Sequence, residues 1–283
     1  MKLFRYKNKE SEKIQVKTFD LSLKTSEPNM PSSINVYLRE NVTAEKEPLP
    51  AVIICPGGGY EIIASVESEP IALAFLSQGF QAIVLNYTTM QDGLQKNFLN
   101  SNILQVAKTF EIIEQNKDEW KIDPNKVFLL GCSAGGHLAA SYSTSWHTIR
   151  SDDNSVNLQP RGTILCYPVT GFEFGWPKNT SHFDFLIEDL KEFETPDKIN
   201  QNTPDTFIWH TANDPSVPVL NTLKYCEKLE ENDIKFECHI FETGLHGLSL
   251  ATRSSAKYMT QDYIDSDIAT WFPTCIKWLN KRL

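Results

Sequence analysis

The residue of this chain best placed for covalent chemistry is Ser133. It lies in the segment 131–135, Gly-Cys-Ser-Ala-Gly, between an apolar run at 127–130 and a helix-like stretch of small residues. A sharp strand-to-helix turn holds such a serine in a strained backbone conformation and exposes its hydroxyl. The flanking glycines avoid the clash that Cβ atoms would make across the turn. The pattern predicts a serine nucleophile that attacks a carbonyl carbon.

A serine hydroxyl needs a base to accept its proton and an acid to orient that base, and two further motifs supply candidates. Asp214 follows the apolar segment 205–210, and His246 lies in the glycine-containing loop 244–247 after the segment 235–241. The order Ser, Asp, His is typical of serine hydrolases that use this turn. Two alternatives remain open: the Asp could instead cap the next helix, and the His could be an ordinary loop residue.

Two other side chains compete for these roles. His210 stands close to the acid in the sequence, but it precedes Asp214 and so breaks the expected order. Cys132 offers an alternative nucleophile. Because it occupies the position before the apex of the turn, we expect its side chain to point into the scaffold. Ser133 and His246 therefore remain the predicted nucleophile and base.

Three consecutive glycines, residues 57–59, provide the second motif that acyl transfer requires. They follow the apolar run 51–55, and their backbone can approach a substrate closely. N–H groups of this loop, together with that of Ala134 at the start of the helix, are the predicted oxyanion hole, which binds the negative oxygen of the tetrahedral intermediate. A phosphate-binding loop is the competing interpretation, but the Lys and Ser/Thr of a Walker motif are absent.

The elements that must position these residues alternate in character along the chain. Two extended segments, 13–21 and 33–40, are followed from residue 50 by apolar strands and amphipathic helices in turn, the pattern of a mostly parallel sheet covered on both faces. The predicted strands are 51–55, 81–87, 126–130, 162–167, 205–210 and 235–241. The predicted helices are 69–78, 99–119, 134–146, 217–231 and 262–283.

The segment 171–202 interrupts this alternation because it is too long for a tight crossover. Its aromatic residues are Phe172, Phe174, Trp176, Phe183, Phe185 and Phe193. A long aromatic insertion after a strand end is more often functional than incidental, so we predict a lid or a pocket wall. A local cluster in which the rings pack on one another is an equally open alternative.

Composition limits the classes of partner. The 283 residues suit one domain spanning 1–283, and the formal net charge of −9 argues against nucleic acid and anionic membrane surfaces. No apolar run reaches the ~20 residues that span a bilayer. The start of the chain has no apolar leader, and the six cysteines form no Cys-x-x-Cys pair or metal spacing. We expect a cytoplasmic protein with free thiols, no metal and no cofactor; apolar positions on the last helix would support a homodimer.

Six motifs in order make the segment from about residue 50 to residue 251 resemble the α/β-hydrolase family of bifunctional feruloyl/acetyl-xylan esterases and related bacterial esterases. The motifs are PGGGY at 56–60, WKIDP at 120–124, GCSAGGHLA at 131–139, YPV at 167–169, HTANDPSVP at 210–218 and GLHGLSLA at 244–251. The resemblance implies the α/β-hydrolase fold, with a mostly parallel eight-stranded sheet flanked by helices and a short lid-like insertion. It implies the same nucleophile, acid and base, and an oxyanion hole formed by Gly58 and Gly59 together with Ala134. The chain departs from the family after Tyr87, where two threonines replace the usual Arg at the rim.

These observations predict a serine carboxylesterase that acts on short acyl esters through an acyl-enzyme. By resemblance, its small-molecule substrate is an acetylated sugar or xylo-oligosaccharide. Two alternatives remain. An exopeptidase of the prolyl-oligopeptidase type normally carries a large extra domain, for which 283 residues leave no room. A non-catalytic ligand receptor on the same scaffold would typically lack a member of the triad.

Overall fold

Apolar and β-branched residues fill the strands of a central sheet. The computed structural model describes residues 15–20, 31–39, 47–93, 96, 98–151, 156–179, 183 and 189–283. Within these residues the sheet has eight strands in the order β1-β2-β4-β3-β5-β6-β7-β8. The strands are β1 (Gln15–Asp20), β2 (Ser33–Leu38), β3 (Leu49–Cys55), β4 (Gln81–Asn86), β5 (Ile122–Cys132), β6 (Thr163–Cys166), β7 (Thr206–Thr211) and β8 (Phe236–Phe241).

The direction of the strands places the functional loops together. Strand β2 pairs antiparallel with β1 and β4, whereas every neighbouring pair from β4 across to β8 is parallel. Parallel strands end at the same edge of a sheet, so the loops after β3, β5, β6, β7 and β8 open on one side. The predicted mostly parallel sheet of eight strands is confirmed, and the segments predicted at its start form β1 and β2.

Helices cover both faces of the sheet, as predicted. They are α1 (Glu69–Ser77), α2 (Phe98–Trp120), α3 (Ser133–Ser145), α4 (Leu220–Glu231) and α5 (Trp271–Asn280). Alternate residues of β3 face opposite sides: Ile53 packs with residues of α2, α3 and α4, and Ile54 packs with residues of α1 and α5. None of the described helices has both the length and the apolar character needed to cross a membrane.

The last predicted helix, 262–283, is wrong in extent, because α5 starts only at Trp271. A carboxylate oxygen of Asp265 accepts hydrogen bonds from the backbone N–H groups of Asp267, at 2.9 Å, and Ile268, at 3.0 Å. This is the bonding pattern of a residue that caps the start of a helix, and Ile264 before it is extended, so a helix cannot run continuously from residue 262 through Asp265. Short 3₁₀ turns fill much of the segment before α5, including Gln261–Tyr263 and Ile268–Thr270.

The aromatic insertion packs as a cluster that reaches the strand ends. Of its predicted range 171–202, residues 171–179, 183 and 189–202 are described, and Phe185 lies outside them. Phe172 and Phe193 are buried with ring centroids 4.4 Å apart, and Trp176 packs on Phe172 at 5.8 Å. The local cluster offered as an alternative is therefore present. It also holds Trp176 beside the glycine loop, in the position expected of a pocket wall.

Candidate active site

Ser133 sits at the junction of β5 and α3 with a positive φ of 52°. The turn depends on its glycines. A Cβ on Gly131 would lie 2.2 Å from the carbonyl oxygen of Gly135, and a Cβ on Gly135 would lie 2.1 Å from that of Cys55. Such distances are far inside van der Waals contact, so the strained turn forms only with glycine at both positions. Cys132, directly before the apex, is fully buried in the core, as predicted.

The imidazole of His246 bridges Ser133 and Asp214. Its Nε2 lies 2.8 Å from the hydroxyl oxygen of Ser133, and its Nδ1 lies 2.7 Å from Oδ2 of Asp214. The three side chains follow β5, β7 and β8, whose ends meet because these strands run parallel in one sheet, with β6 between β5 and β7. With the proton on Nδ1, the ring donates to the carboxylate and accepts the serine proton. The structure thus brings together the three residues predicted from the sequence.

Asp214 is held rigidly below the imidazole. Its side chain is fully buried, and Oδ1 accepts the backbone N–H groups of Ser216, at 2.8 Å, and Val217, at 2.9 Å. Burial by itself raises the pKa of this carboxyl. Hydrogen bonds from His210, His246 and the Val217 N–H outweigh burial and hold the pKa well below its usual range. The carboxyl group of Asp214 therefore stays ionised at ordinary pH.

His210 supports the acid and does not contact the nucleophile. Its ring is fully buried, with Nδ1 2.8 Å from Oγ1 of Thr222 and Nε2 3.0 Å from the carbonyl oxygen of Val217. The same Nε2 lies 3.4 Å from Oδ2 of Asp214. His210, the alternative base in the sequence analysis, thus lies beside Asp214 and does not bond to Ser133.

The other histidines that the structure describes lie outside this constellation. His137 is fully buried on α3, 2.8 Å from the hydroxyl of Tyr60 and 2.9 Å from the carbonyl oxygen of Phe193. Burial lowers the pKa of His137 to about 4, which keeps the ring neutral at ordinary pH. His147 lies in a 3₁₀ turn after α3, His239 lies in β8, and His182 lies outside the described residues.

The glycine loop adopts conformations that favour glycine. Gly58 has a φ of 125° and Gly59 a φ of 66°, and a Cβ on Gly58 would lie 2.1 Å from the carbonyl oxygen of Ile62. Both glycines line the cavity that contains Ser133, and Ala134 follows Ser133 in the first turn of α3. The predicted oxyanion residues therefore lie around the serine hydroxyl.

A cavity of about 490 Å³ opens over the nucleophile and the base. Its walls combine the stretch 62–67, which follows the glycine loop, with Trp176 of the insertion and with Lys257 and Tyr258 from the turns before α5. Tyr258 is 80% exposed. The cavity thus offers both apolar and polar surface to a bound molecule. No group of three or more His, Cys, Asp or Glu side chains suited to a metal ion occurs among the described residues.

Sequence reasoning missed Glu67, a buried carboxylate in the wall of this cavity. It is only 3% exposed, and its Oε2 lies 2.6 Å from the backbone nitrogen of Gly57. The first glycine of the loop therefore has its N–H occupied, unlike the two assigned to the oxyanion hole. In the sequence, Glu67 stands just before the helix-starting Glu-Pro pair at 69–70, where an acidic residue is ordinary. No local signal distinguished it.

Similarity to known proteins agrees with this geometry. A family model described as BD-FAE matches residues 34–164, which include the glycine loop and Ser133. The solved structure of a sugar hydrolase (YeeB) from Lactococcus lactis is 44% identical, with 95% of this chain and 98% of that one covered and a TM-score of 0.82. The chain belongs to the BD-FAE family of α/β-hydrolases. Its similarity to a carboxylesterase of known structure, given next, makes it a serine carboxylesterase-like hydrolase.

Two further solved structures place this BD-FAE chain among ester hydrolases. The carboxylesterase Cest-2923 from Lactobacillus plantarum is 26% identical over 95% of this chain and 98% of its own, with a TM-score of 0.85. An acetyl ester-xyloside bifunctional hydrolase from Caldicellulosiruptor lactoaceticus is 31% identical over 89% of this chain and 88% of its own, with a TM-score of 0.71. The chain spans between about a third and a half of the length of the curated relatives it matches.

A second family model also matches this BD-FAE chain. It is described as the prolyl oligopeptidase family and covers residues 105–276. That range contains Ser133, Asp214 and His246 but not the glycine loop. The match is consistent with the shared α/β-hydrolase fold, and it leaves peptide bond hydrolysis as an activity to be tested.

Proposed function

We propose that Ser133, His246 and Asp214 form a catalytic triad that hydrolyses short acyl esters, and that the natural substrates are acetylated sugars or xylo-oligosaccharides. The observation that carries the proposal is the continuous chain of hydrogen bonds from Asp214 through His246 to Ser133, at 2.7 and 2.8 Å, which ends in a cavity lined by Gly58 and Gly59.

The proposed reaction has two halves. Nε2 of His246 accepts the hydroxyl proton while the oxygen of Ser133 bonds to the ester carbonyl carbon, and the carbonyl oxygen becomes negative. The N–H groups of Gly58, Gly59 and Ala134 would stabilise that charge. His246 then gives its proton to the departing alcohol as the ester bond breaks. In the second half, water takes the place of the alcohol and releases the acid from the serine.

The substrate class rests on relatives and on the shape of the cavity. The relatives described above include a sugar hydrolase and an acetyl ester-xyloside hydrolase, and both are similar to this chain over most of their length. Tyr258 and Trp176 bring aromatic surface to the cavity, beside the polar side chains of Ser216 and Lys257. Sugar rings, which expose CH groups on one face and hydroxyls at the edge, suit a cavity that combines aromatic and polar side chains. In this proposal the described elements form one catalytic domain, with the insertion as a pocket wall.

The decisive experiment compares the wild type with Ser133→Ala on p-nitrophenyl acetate, butyrate and octanoate. Turnover that falls steeply with acyl length and is lost in the variant, by up to roughly 10⁶-fold, supports a short-chain serine esterase. Release of acetate from acetylated xylo-oligosaccharides then tests the natural substrate. A wild type that is inactive on all three esters, or a variant that matches it, would contradict the proposal.

Peptide bond hydrolysis is the second candidate because the prolyl oligopeptidase model covers the triad. Aminoacyl p-nitroanilides, assayed beside p-nitrophenyl acetate, separate the two activities. A kcat/KM for an anilide that exceeds the value for the acetate would favour the peptidase. A non-catalytic receptor would bind ligands without turnover of either substrate, and the assembled triad geometry argues against it.

A further inference from the structure

The buried carboxylate of Glu67 connects the two halves of the proposed catalytic machinery. We propose that Glu67 is a positioning residue that fixes the glycine loop at 57–59 in its oxyanion-binding geometry and ties that loop to the segment carrying His246. This inference rests on the proposed ester hydrolysis at Ser133. It adds a role for a side chain that neither attacks the substrate nor transfers a proton.

The first contact joins Glu67 to the glycine loop. Oε2 of Glu67 accepts the backbone N–H of Gly57 at 2.6 Å. Gly57 itself abuts the nucleophile, because a Cβ at this position would lie 2.9 Å from the Cβ of Ser133. The carboxylate therefore sets the orientation of the peptide group that enters the loop. The next two peptide groups belong to Gly58 and Gly59, whose N–H groups are the proposed oxyanion donors.

The second contact joins Glu67 to the segment after His246. Its Oε1 accepts the hydroxyl proton of Tyr167 at 2.8 Å, and that hydroxyl oxygen accepts the backbone N–H of Ser249 at 2.9 Å. The ring of Tyr167 lies edge-on to the ring of His246, with centroids 5.2 Å apart. A further bond runs from the hydroxyl of Ser249 to the carbonyl oxygen of Val66 at 2.7 Å. Residues 66–67 are thus held to the segment 246–249 by two separate routes.

The hydrogen-bond directions favour the ionised carboxylate. The Tyr167 oxygen accepts from Ser249 and so donates its own proton to Glu67, while Gly57 donates to the other carboxylate oxygen. Both oxygens of Glu67 therefore act as acceptors. Burial raises the pKa of Glu67, and the Tyr167 hydroxyl, the Gly57 N–H and the nearby charges of His246 and Lys257 partly offset that rise.

This arrangement affects the transition state more than the bound ester. Oxyanion donors stabilise charge only when they are already aimed at the position where it develops, and loss of one donor lowers kcat roughly 10²- to 10³-fold. A loop released from Glu67 keeps its donors but loses their fixed direction. We therefore expect a smaller loss in kcat, with little change in ground-state binding.

Two substitutions test the inference on p-nitrophenyl acetate. Glu67→Leu removes both acceptors at similar size, and we expect kcat to fall about 10²-fold with KM changed less than about threefold. Glu67→Gln keeps one acceptor and should fall between Glu67→Leu and the wild type. The affinity for a trifluoromethyl ketone, which forms an oxyanion adduct with the serine, should fall in parallel with kcat. A role in general stability alone would not produce that parallel.

Glu194→Gln is the matched control. Glu194 is also a buried carboxylate, 4% exposed, and its Oε1 accepts two backbone N–H groups, from Phe172 at 2.8 Å and Glu173 at 3.2 Å. Its side chain does not line the cavity around Ser133. We expect the kcat of Glu194→Gln on p-nitrophenyl acetate to stay within about twofold of the wild type, because no oxyanion donor depends on the Glu194 side chain.

The outcomes separate this inference from the proposed function. If the wild type hydrolyses the ester, Ser133→Ala does not, and Glu67→Leu keeps kcat within about threefold, the role of Glu67 is refuted while the triad stands. If the wild type itself does not hydrolyse the ester, the proposed ester hydrolysis is refuted, and this result is distinct from a refuted role of Glu67. Should Glu67→Leu not fold, Glu67→Gln and Tyr167→Phe take its place, and unchanged kcat and ketone affinity in both would overturn the inference.

Discussion

Nε2 of His210 lies 3.4 Å from Oδ2 of Asp214, the same oxygen that is 2.7 Å from Nδ1 of His246. Two imidazoles thus approach one carboxylate oxygen, but only one of them reaches the nucleophile. The His210 ring is fixed by Thr222 and by the carbonyl oxygen of Val217. We predict that this position lets His210 stabilise the ionised form of Asp214 and limit its orientation.

Removing the charge of Asp214 should nearly abolish turnover. In Asp214→Asn, the amide presents a donor to Nδ1 of His246 and stabilises the wrong tautomer of the ring, so kcat on p-nitrophenyl acetate should fall roughly 10⁴-fold, as for the same change in other triads. Asp205→Asn is the control. Asp205 lies directly before β7, whereas Asp214 follows the end of that strand, and Asp205 pairs with Arg282 at 2.9 Å. Equal activity of the two variants would contradict the assignment of the acid.

The same carboxylate should make stability depend on pH in the acid range. The pKa of Asp214 is held below its usual range in the folded state. Its contribution to stability is therefore complete above the unfolded-state pKa of about 3.9 and is lost as the pH falls through the folded-state pKa. The urea midpoint of the wild type should exceed that of Asp214→Asn at neutral pH, and the gap should narrow below about pH 4. A gap that widens towards low pH would refute this.

The two histidines near Asp214 should differ sharply when replaced. His246→Gln removes the base, and kcat should fall by up to roughly 10⁶-fold. His210→Gln loses a weak contact with the acid at 3.4 Å, so kcat should fall by less than about tenfold. Both are measured on p-nitrophenyl acetate with circular dichroism to verify folding. A reversed order would make His210 the base and exclude the proposed triad.

The rim of the cavity offers a matched pair for testing sugar recognition. Tyr258 and Met259 are 80% and 81% exposed and have φ values of 54° and 53°, yet of the two only Tyr258 lines the cavity. Tyr258→Ala should raise KM for an acetylated xylo-oligosaccharide up to about tenfold, since the ring then no longer stacks on the sugar. KM for p-nitrophenyl acetate should not change.

Met259→Ala should leave both substrates unaffected, because its side chain does not line the cavity. If Tyr258→Ala and Met259→Ala behave alike on the oligosaccharide, or if Tyr258→Ala weakens both esters equally, the ring does not contribute to sugar recognition.

Local patterns account for the parts of the site that the sequence predicted. The elbow around Ser133 and the glycine loop are short segments whose backbone demands are met by glycine, so the residue types themselves reveal the conformation. The strands were predictable because those buried on both faces are continuous apolar runs. The start of α5 was not predictable in this way, because it depends on the hydrogen bonds of a single side chain, Asp265.

The sequence by itself predicted the nucleophile, its glycine supports and the order in which acid and base follow. Sequence order favoured His246 over His210, and only the tertiary structure shows which ring reaches Ser133, because both residues stand near strand ends. The tertiary structure also revealed the hydrogen bonds of Glu67, whose partners Gly57 and Tyr167 belong to loops after β3 and β6. Contacts between distant loops exist only once parallel strands bring their carboxyl ends to one edge, and no local spacing in the chain records that meeting.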